Sequence, residues 1–573
     1  MIAVVGRILK WIGALTVAFI LLIVVLAVSI HESLPEKMVL QVDFRDGTTE
    51  YIGDHPLALI QKGNRLDIRR QVETILKAAA DDRVVGLIGR VGGARMSLAH
   101  VQEISDAIRV FRESDKPSVA FAESIGGLAA ANASYLLATA FENIKLQPSG
   151  SVGLVGLSVE HPFFRGSLDS LGVIPSFGKR EAYKTGPNLF TEAGFTEAHR
   201  EAAEALLSGH FEQLVAGVAN GRDVDQLKVR SWIDAAPLSA QAALSEGAVD
   251  QLAYLDEVRS AFAGASEPTI VDLADYAQHS SAEGVEVALV HAVGTIVPGK
   301  STYDPVGESN TVGSDTIVEA IRDALDSGAP AIVLRVDSPG GAYSAADAIW
   351  RATRLAQESS VPVIVSMSSV AASGGYLIST HADHVIAQPG TITGSIGVWG
   401  GKFVMRDMWR KIGVTFDSVH FGPQARFSST LTDFSESERM RFEAQLDRVY
   451  DAFVAQVSDG RNLLRQKVSA LAQGKVWTGQ QAQEVGLVDE IGGYAAAIEA
   501  ARDLLGLAPD TDIQFVIYPK PKDLAERIIE GDWESLKTKN DLSLVRTASA
   551  IAGRITSVVA LAVWAPWVEG FLY

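Results

Sequence analysis

The sequence predicts two tandem α/β domains set behind an N-terminal transmembrane helix. Three observations carry that expectation. Strand-like runs alternate with helix-like segments through most of the chain, the second half repeats the first, and an uncharged apolar run opens the sequence. Alternation of this kind implies parallel βαβ units. At 573 residues the chain is too long for one core, and 47% hydrophobic with 21% charged residues is the composition of a folded protein. A net charge of −19 argues against wholesale nucleic-acid binding. There are no cysteines, which excludes disulfides, thiol catalysis and cysteine-ligated metals. The chain offers no close His/Asp/Glu ligand set, so neither metal nor cofactor is expected.

Residues 1–37 read as a cytoplasmic stub and membrane anchor. Arg7 and Lys10 precede Trp11–Ile30, which is 20 residues without a charge. In helix such a run covers about 30 Å, enough to cross a bilayer. Positive charge before the span predicts a cytoplasmic start and an exported body. Ala27-Val28-Ser29 could serve as a signal-peptide cleavage site, but the run exceeds the usual apolar core of about 7–15 residues, which favours a retained anchor. In a Gram-negative cell the body would then face the periplasm from the inner membrane.

The first α/β repeat spans 38–282. Its expected strands are Met38–Phe44, Val84–Val91 and Ser118–Ala122, with helices at Leu98–Glu113 and Thr196–Ala219. A linker at 282–284 leads to the second repeat, 283–508. There Val285–His291, Ala331–Val336 and Val361–Met367 read as strands, Ala345–Glu358 and Ser435–Val457 as helices. The extension 509–573 ends in Ile555–Val568, 14 uncharged residues broken by Pro566 and too short to span a bilayer. Trp564, Trp567 and Tyr573 suit either the membrane interface or packing within an oligomer.

The repeat is read residue by residue. YLLATAFENIKLQP at 135–148 matches YLISTHADHVIAQP at 376–389, an offset of 376 − 135 = 241. Gly153 and Gly156 match Gly394 and Gly397 at the same offset, and GAVD at 247–250 matches GLVD at 486–489 at 239. This registration sets AANASY (130–135) beneath AASGGY (371–376), so Asn132 takes the place of Ser373. Small residues and two glycines around one hydroxyl let a substrate backbone approach and free N–H groups to meet it. Alone, AASGGY could be merely a tight turn.

A nucleophilic Ser373 needs a base. Histidine is the default, and His381, His384 and His420 lie nearby in sequence. The segment downstream is more telling. The first repeat carries Lys184 in SFGKREAYKTG, whereas alignment on Phe-Gly (177–178 with 421–422) leaves Phe427 or Ser428 opposite it in the second. Arg426 cannot deprotonate. One repeat keeps the lysine, the other the serine, and a composite site across the interface accounts for both losses. An exposed lysine has a pKa near 10.4, but burial can lower it by several units and make it a base for serine attack on a carbonyl. For the oxyanion, Asp337-Ser338-Pro339-Gly340-Gly341 follows a strand, and the amides of Gly340 or Gly341 with that of Gly374 are the candidates.

Together SPGG (338–341), AASGGY (371–376), TGSIG (393–397), Lys184 in AYKTG, the anchor and the duplication resemble the long, duplicated form of signal peptide peptidase A, or protease IV. This family consists of membrane-bound Ser-Lys serine peptidases, and the resemblance covers about residues 38–508. It implies a Clp-protease/crotonase-like fold in each half and a bowl-shaped homo-oligomer, a tetramer, on the periplasmic face of the membrane lipid. It implies remnant signal peptides as substrates, Ser373 as nucleophile, Lys184 as general base, oxyanion contacts from Gly374 with Gly340 or Gly341, and no cofactor. Two rivals stand beside it: an inactive membrane scaffold of the same fold, and a crotonase-like acyl-CoA enzyme. The latter needs neither the serine in AASGG nor an anchor.

Overall fold

Val84–Arg90 (VVGLIGR) is apolar on both faces and almost wholly buried, as a strand inside a parallel sheet must be. It belongs to the first of two large sheets. The computed structural model describes residues 34–51, 65–93, 96–126, 131–262, 269–279, 284–304 and 309–520. The expected span Trp11–Ile30 and the run Ile555–Val568 lie outside the described residues. Among the described residues no helix is long and apolar enough to cross a membrane.

The first repeat contains β1 (Met38–Asp43), α1 (Ile68–Ala80), β2 (Val84–Arg90), α2 (Leu98–Glu113), β3 (Ser118–Ala122), α3 (Asn132–Ala138) and β4 (Asn143–Leu146). It continues with β5 (Ile174–Lys179), α4 (Glu197–Arg222), β6 (Gln251–Leu252) and β7 (Thr269–Asp272). Its sheet is parallel throughout, in the order β6–β4–β3–β2–β1–β7.

The second repeat contains β8 (Val285–Val293), β9 (Ile332–Ser338), α5 (Tyr343–Glu358), β10 (Val363–Ala372), α6 (Gly374–Leu377), β11 (His384–Ala387), β12 (Ile392–Gly394) and β13 (Trp399–Val404). α7 (Glu436–Gly460), β14 (Glu490–Ile491), α8 (Tyr494–Leu505) and β15 (Ile513–Tyr518) complete it. The parallel path β14–β11–β10–β9–β8–β15 follows the first sheet strand for strand. The expected boundary at 508 is therefore too early. β15 pairs with β8 as β7 pairs with β1, so the second repeat runs to 518.

Alternation along the strands shows how the repeats stack. Ala331 and Val333 face a core shared with α1 and α2 of the first repeat, while Ile332, Leu334 and Val336 face the second repeat's own helices. Helices of the first repeat thus lie between the two sheets. α2 is capped by Ser97, whose hydroxyl accepts from His100 N, and α7 by a capping box of Ser435 and Glu438.

One strand crosses over. β5 leaves its own sheet and pairs antiparallel with β13 of the second repeat, Phe177 opposite Gly401 and Lys179 opposite Trp399. Arg180 N then donates to Val398 O, and the Arg180 guanidinium reaches Glu443 of α7 at 2.8 Å. This ribbon carries residues 180–187 into the second repeat.

Candidate active site

Ser373 stands where β10 gives way to α6, in a conformation (φ 56°, ψ −117°) that a residue with a side chain rarely adopts. Its surroundings enforce that conformation. Ser373 N donates to Gly394 O at 2.8 Å, and Leu377 N donates to Ser373 O at 2.9 Å. The neighbouring glycines are required by space. A Cβ on Gly340 would lie 2.6 Å from Gly374 N, and one on Gly375 would lie 2.5 Å from Ser338 O.

Lys184, delivered by the β5–β13 ribbon, is buried, and its Nζ lies 3.0 Å from Ser373 Oγ. The same nitrogen donates to Ser395 O at 2.8 Å and to Ser395 Oγ at 3.0 Å. Two second-repeat glycines form its niche: a Cβ on Gly474 would come within 2.3 Å of Lys184 N, and one on Gly397 within 3.2 Å of its Cδ. Burial lowers the lysine to about 7. A neutral amine there spends two N–H groups on Ser395 and turns its lone pair toward the serine hydroxyl.

The oxyanion candidates divide. Gly340 N donates to Ser338 Oγ at 3.2 Å and is spent within the turn. Gly341 N and Gly374 N donate to none of the described residues, and a Cβ on Gly374 would touch Gly341 N at 3.2 Å. The geometry therefore favours Gly341 with Gly374 over Gly340. A cavity of about 980 Å³ opens beside these groups, lined by Leu168, Phe177, Phe403, Met408 and Leu446 among others. His161 and His199, in contact at 2.9 Å, also line it, and burial holds both below the usual histidine range.

The sequence-neighbouring histidines are engaged elsewhere: His384 with Glu490 at 2.7 Å and His381 with Asp459 at 3.4 Å, while His420 is exposed. In the first repeat the vacated serine position has become a clip. Asn132 Nδ2 donates to Gly156 O at 2.7 Å and Gly156 N donates to Asn132 Oδ1 at 3.1 Å. Gly156 is the counterpart of Gly397, so this clip fixes the backbone that in the second repeat faces Lys184.

Sequence reasoning missed Ser395, although Ser395 in TGSIG faces Leu154 in the first repeat, a contrast like that of Ser373 with Asn132. It also expected no close His/Asp/Glu cluster, and the fold corrects this. Glu50, His100 and Asp337 bring ligand atoms within 4.8 Å of one another between the repeats. Both Glu50 oxygens accept from Arg335, at 2.7 and 3.1 Å, so a guanidinium already compensates the cluster. Burial pushes Glu50 up, but Arg335 and His100 more than reverse this and hold it well below the carboxylate range.

Residues 110–268 and 355–508 match Peptidase family S49, once in each repeat. The chain belongs to that family. It is 31% identical over 496 residues to "Protease 4" of Haemophilus influenzae, covering 82% of this chain and 77% of the relative. Against "Serine protease SPPA, chloroplastic" of Arabidopsis thaliana the identity is 27% over 480 residues, 81% of this chain and 70% of the relative. "Putative signal peptide peptidase SppA" of Enterococcus faecium is 32% identical over 190 residues, 33% of this chain and 55% of that protein. Among S49 peptidases this chain is of the long, duplicated kind, and it is a serine peptidase.

Proposed function

We propose that this S49 peptidase is a membrane-anchored endopeptidase that cuts hydrophobic peptides, remnant signal peptides above all, with a dyad of Ser373 and Lys184. The observation that carries the reading is the 3.0 Å approach of Lys184 Nζ to Ser373 Oγ from the other repeat, in a niche that lowers the lysine to about 7. Ser373 Oγ gives its proton to Lys184 and attacks the peptide carbonyl, the oxyanion is met by Gly341 and Gly374 amides, and Lys184 returns the proton to the leaving amine. Water then repeats the sequence on the acyl-enzyme, with no metal or cofactor. The apolar cavity beside Ser373 supports a hydrophobic substrate, because such side chains gain most from leaving water. The basic start and uncharged run at 11–30 support an inner-membrane anchor with the body in the periplasm. The shared six-strand path of the repeats is offered in support of a Clp-protease/crotonase-like fold in each.

A homo-oligomer, a tetramer in the family's pattern, is part of the proposal, and internal symmetry supports its contact. After matching turns at Gly172 (φ 77°) and Gly413 (φ 79°), the first repeat forms β5, while the second leaves residues 415–421 outside any helix or strand and exposed. Val419 and Phe421 are 91% and 92% exposed. At the 241 offset the counterpart of β13 is residues 158–163. Pairing 415–420 of one copy with 158–163 of the next would repeat the β5–β13 junction between chains, and a head-to-tail contact whose rotation closes gives a ring.

The test is cleavage of a leucine-rich signal peptide in detergent by the full chain, Ser373→Ala and Lys184→Ala. Loss of activity in both variants, with folding kept, supports the divided dyad. An active Lys184→Ala places the base elsewhere, and an inert wild type favours a scaffold.

A further inference from the structure

β9 and β10 lose register beside the active site. Val336 pairs with Met367, yet Ser338 pairs with Ala371, so Asp337 alone faces the three residues 368–370. The bulge takes up two residues; at about 3.3 Å each, an unbroken ladder would set Ser373 about 6–7 Å further along the sheet. Several polar groups of the bulge are tied. Val370 N, which the ladder would leave unpaired, donates to Asp337 Oδ1 at 2.9 Å. Ser368 Oγ donates to Glu50, Ser369 Oγ donates to Ser97 Oγ at 2.6 Å, and Ser368 O accepts from Thr391 Oγ1 at 2.7 Å. Glu50 and Ser97 belong to the first repeat, so the bulge is held from across the interface.

Asp337 occupies a particular point in this arrangement. Its backbone runs directly into Ser338, whose hydroxyl holds the Gly340 amide, and its carboxylate holds Val370, three residues before the nucleophile. It therefore joins the oxyanion turn to the serine loop. We infer that Asp337 is a positioning residue: through Val370 N it sets Ser373 against the Gly341 and Gly374 amides, with the first repeat bracing the far side of the bulge through Glu50 and Ser97. The first repeat then supplies geometry as well as the lysine. The inference rests on Ser373 being the nucleophile. Both protonation states of the carboxyl can accept from Val370, and the amide of asparagine can do the same.

The experiment compares the full chain with Asp337→Ala, Asp337→Asn and Ser373→Ala on the same signal peptide. It reads kcat and KM separately, together with the rate of labelling by an active-site phosphonate. Asp337→Ala is expected to lose on the order of 10–100-fold in kcat with KM within about twofold, and to label proportionately more slowly. Asp337→Asn, which keeps the acceptor, should restore kcat to within about threefold of wild type. An unchanged kcat in Asp337→Ala overturns the inference, as does an asparagine variant as slow as the alanine one. So does a loss confined to KM. If Asp337→Ala does not fold, Ser369→Ala carries the test, since it cuts the Ser97 tie and leaves the ionic cluster whole. A several-fold fall in kcat at constant KM supports the positioning role, and an unchanged kcat overturns it. An active Ser373→Ala would instead sink the dyad reading itself, so the two failures are distinguishable.

Discussion

A lysine held near neutrality by burial weakens the fold that buries it, and Lys184→Met should reveal by how much. Burial takes this side chain from 10.5 to about 7. The unfolded chain, with its lysine near 10.5, binds more protons throughout that window, so wild-type stability rises with pH across it. At 1.36 kcal/mol per decade the ordering of Lys184 costs about 4 kcal/mol at pH 7 and about 1.5 kcal/mol at pH 9.5. Methionine fills similar volume without a charge. It leaves Ser395 O and Ser395 Oγ without their donor, a loss of about 2 kcal/mol in total. The variant should therefore be more stable than wild type by about 2 kcal/mol at pH 7 and roughly equal to it at pH 9.5, while inactive at both. Urea unfolding of both proteins at the two pH values, followed by tryptophan fluorescence, measures the difference. The change between pH values, about 2–3 kcal/mol, is the telling quantity because the lost hydrogen bonds cancel from it. A stability gap that does not move with pH would refute a neutral buried lysine, and with it the base.

The same ionisation governs rate. Between pH 5 and 7 kcat/KM should rise about tenfold per unit as Lys184 loses its proton, then level above about 7, measured by peptide cleavage at constant ionic strength. Ser395→Ala removes one of the two acceptors that aim the amine and should cost about tenfold in kcat, with labelling of Ser373 slowed in step. Asn132→Ser breaks the clip to Gly156 without supplying a lysine, so intact-mass analysis after phosphonate treatment should still find one label per chain. Val419→Asp with Phe421→Asp should shift the detergent-solubilised protein to a smaller species by light scattering while leaving Lys184 and Ser373 in place; an unchanged mass would place the subunit contact elsewhere.

How far the sequence could be read depended on whether a feature is local or repeated. Strands such as Val84–Arg90 and Ser118–Ala122 announce themselves by unbroken apolar runs, and the structure has them within a residue or two. The expected strand Val361–Met367 continues in fact to Ala372, because a bulge lets a serine-rich stretch stay in the sheet. β15 was missed because Ile513–Tyr518 lies after the last matched motif, and its place is set by pairing with a strand more than 200 residues earlier. Ser373 and Lys184 were legible through duplication, since two copies that lose complementary residues record a contact no single segment shows.

The cluster between the repeats had no such signal. Glu50, His100, Glu103, Arg335 and Asp337 are ordinary charged residues in sequence, scattered over both halves. Only the alternation of β9 turns Arg335 and Asp337 to the face that the first repeat covers. Arg335 is wholly buried and meets both Glu50 and Glu103 at 2.7 Å. Removing one member would strand a buried charge at a cost of about 3–5 kcal/mol, so the cluster fixes how the two repeats stack more than it strengthens the stack. The same stacking decides whether β5 reaches β13 and whether Lys184 arrives beside Ser373. A dyad split between two domains works only if their relative position is as well defined as a side-chain rotamer, and an ionic layer beneath the serine loop, with Arg335 paired to both Glu50 and Glu103, meets that requirement better than apolar contact, which tolerates sliding.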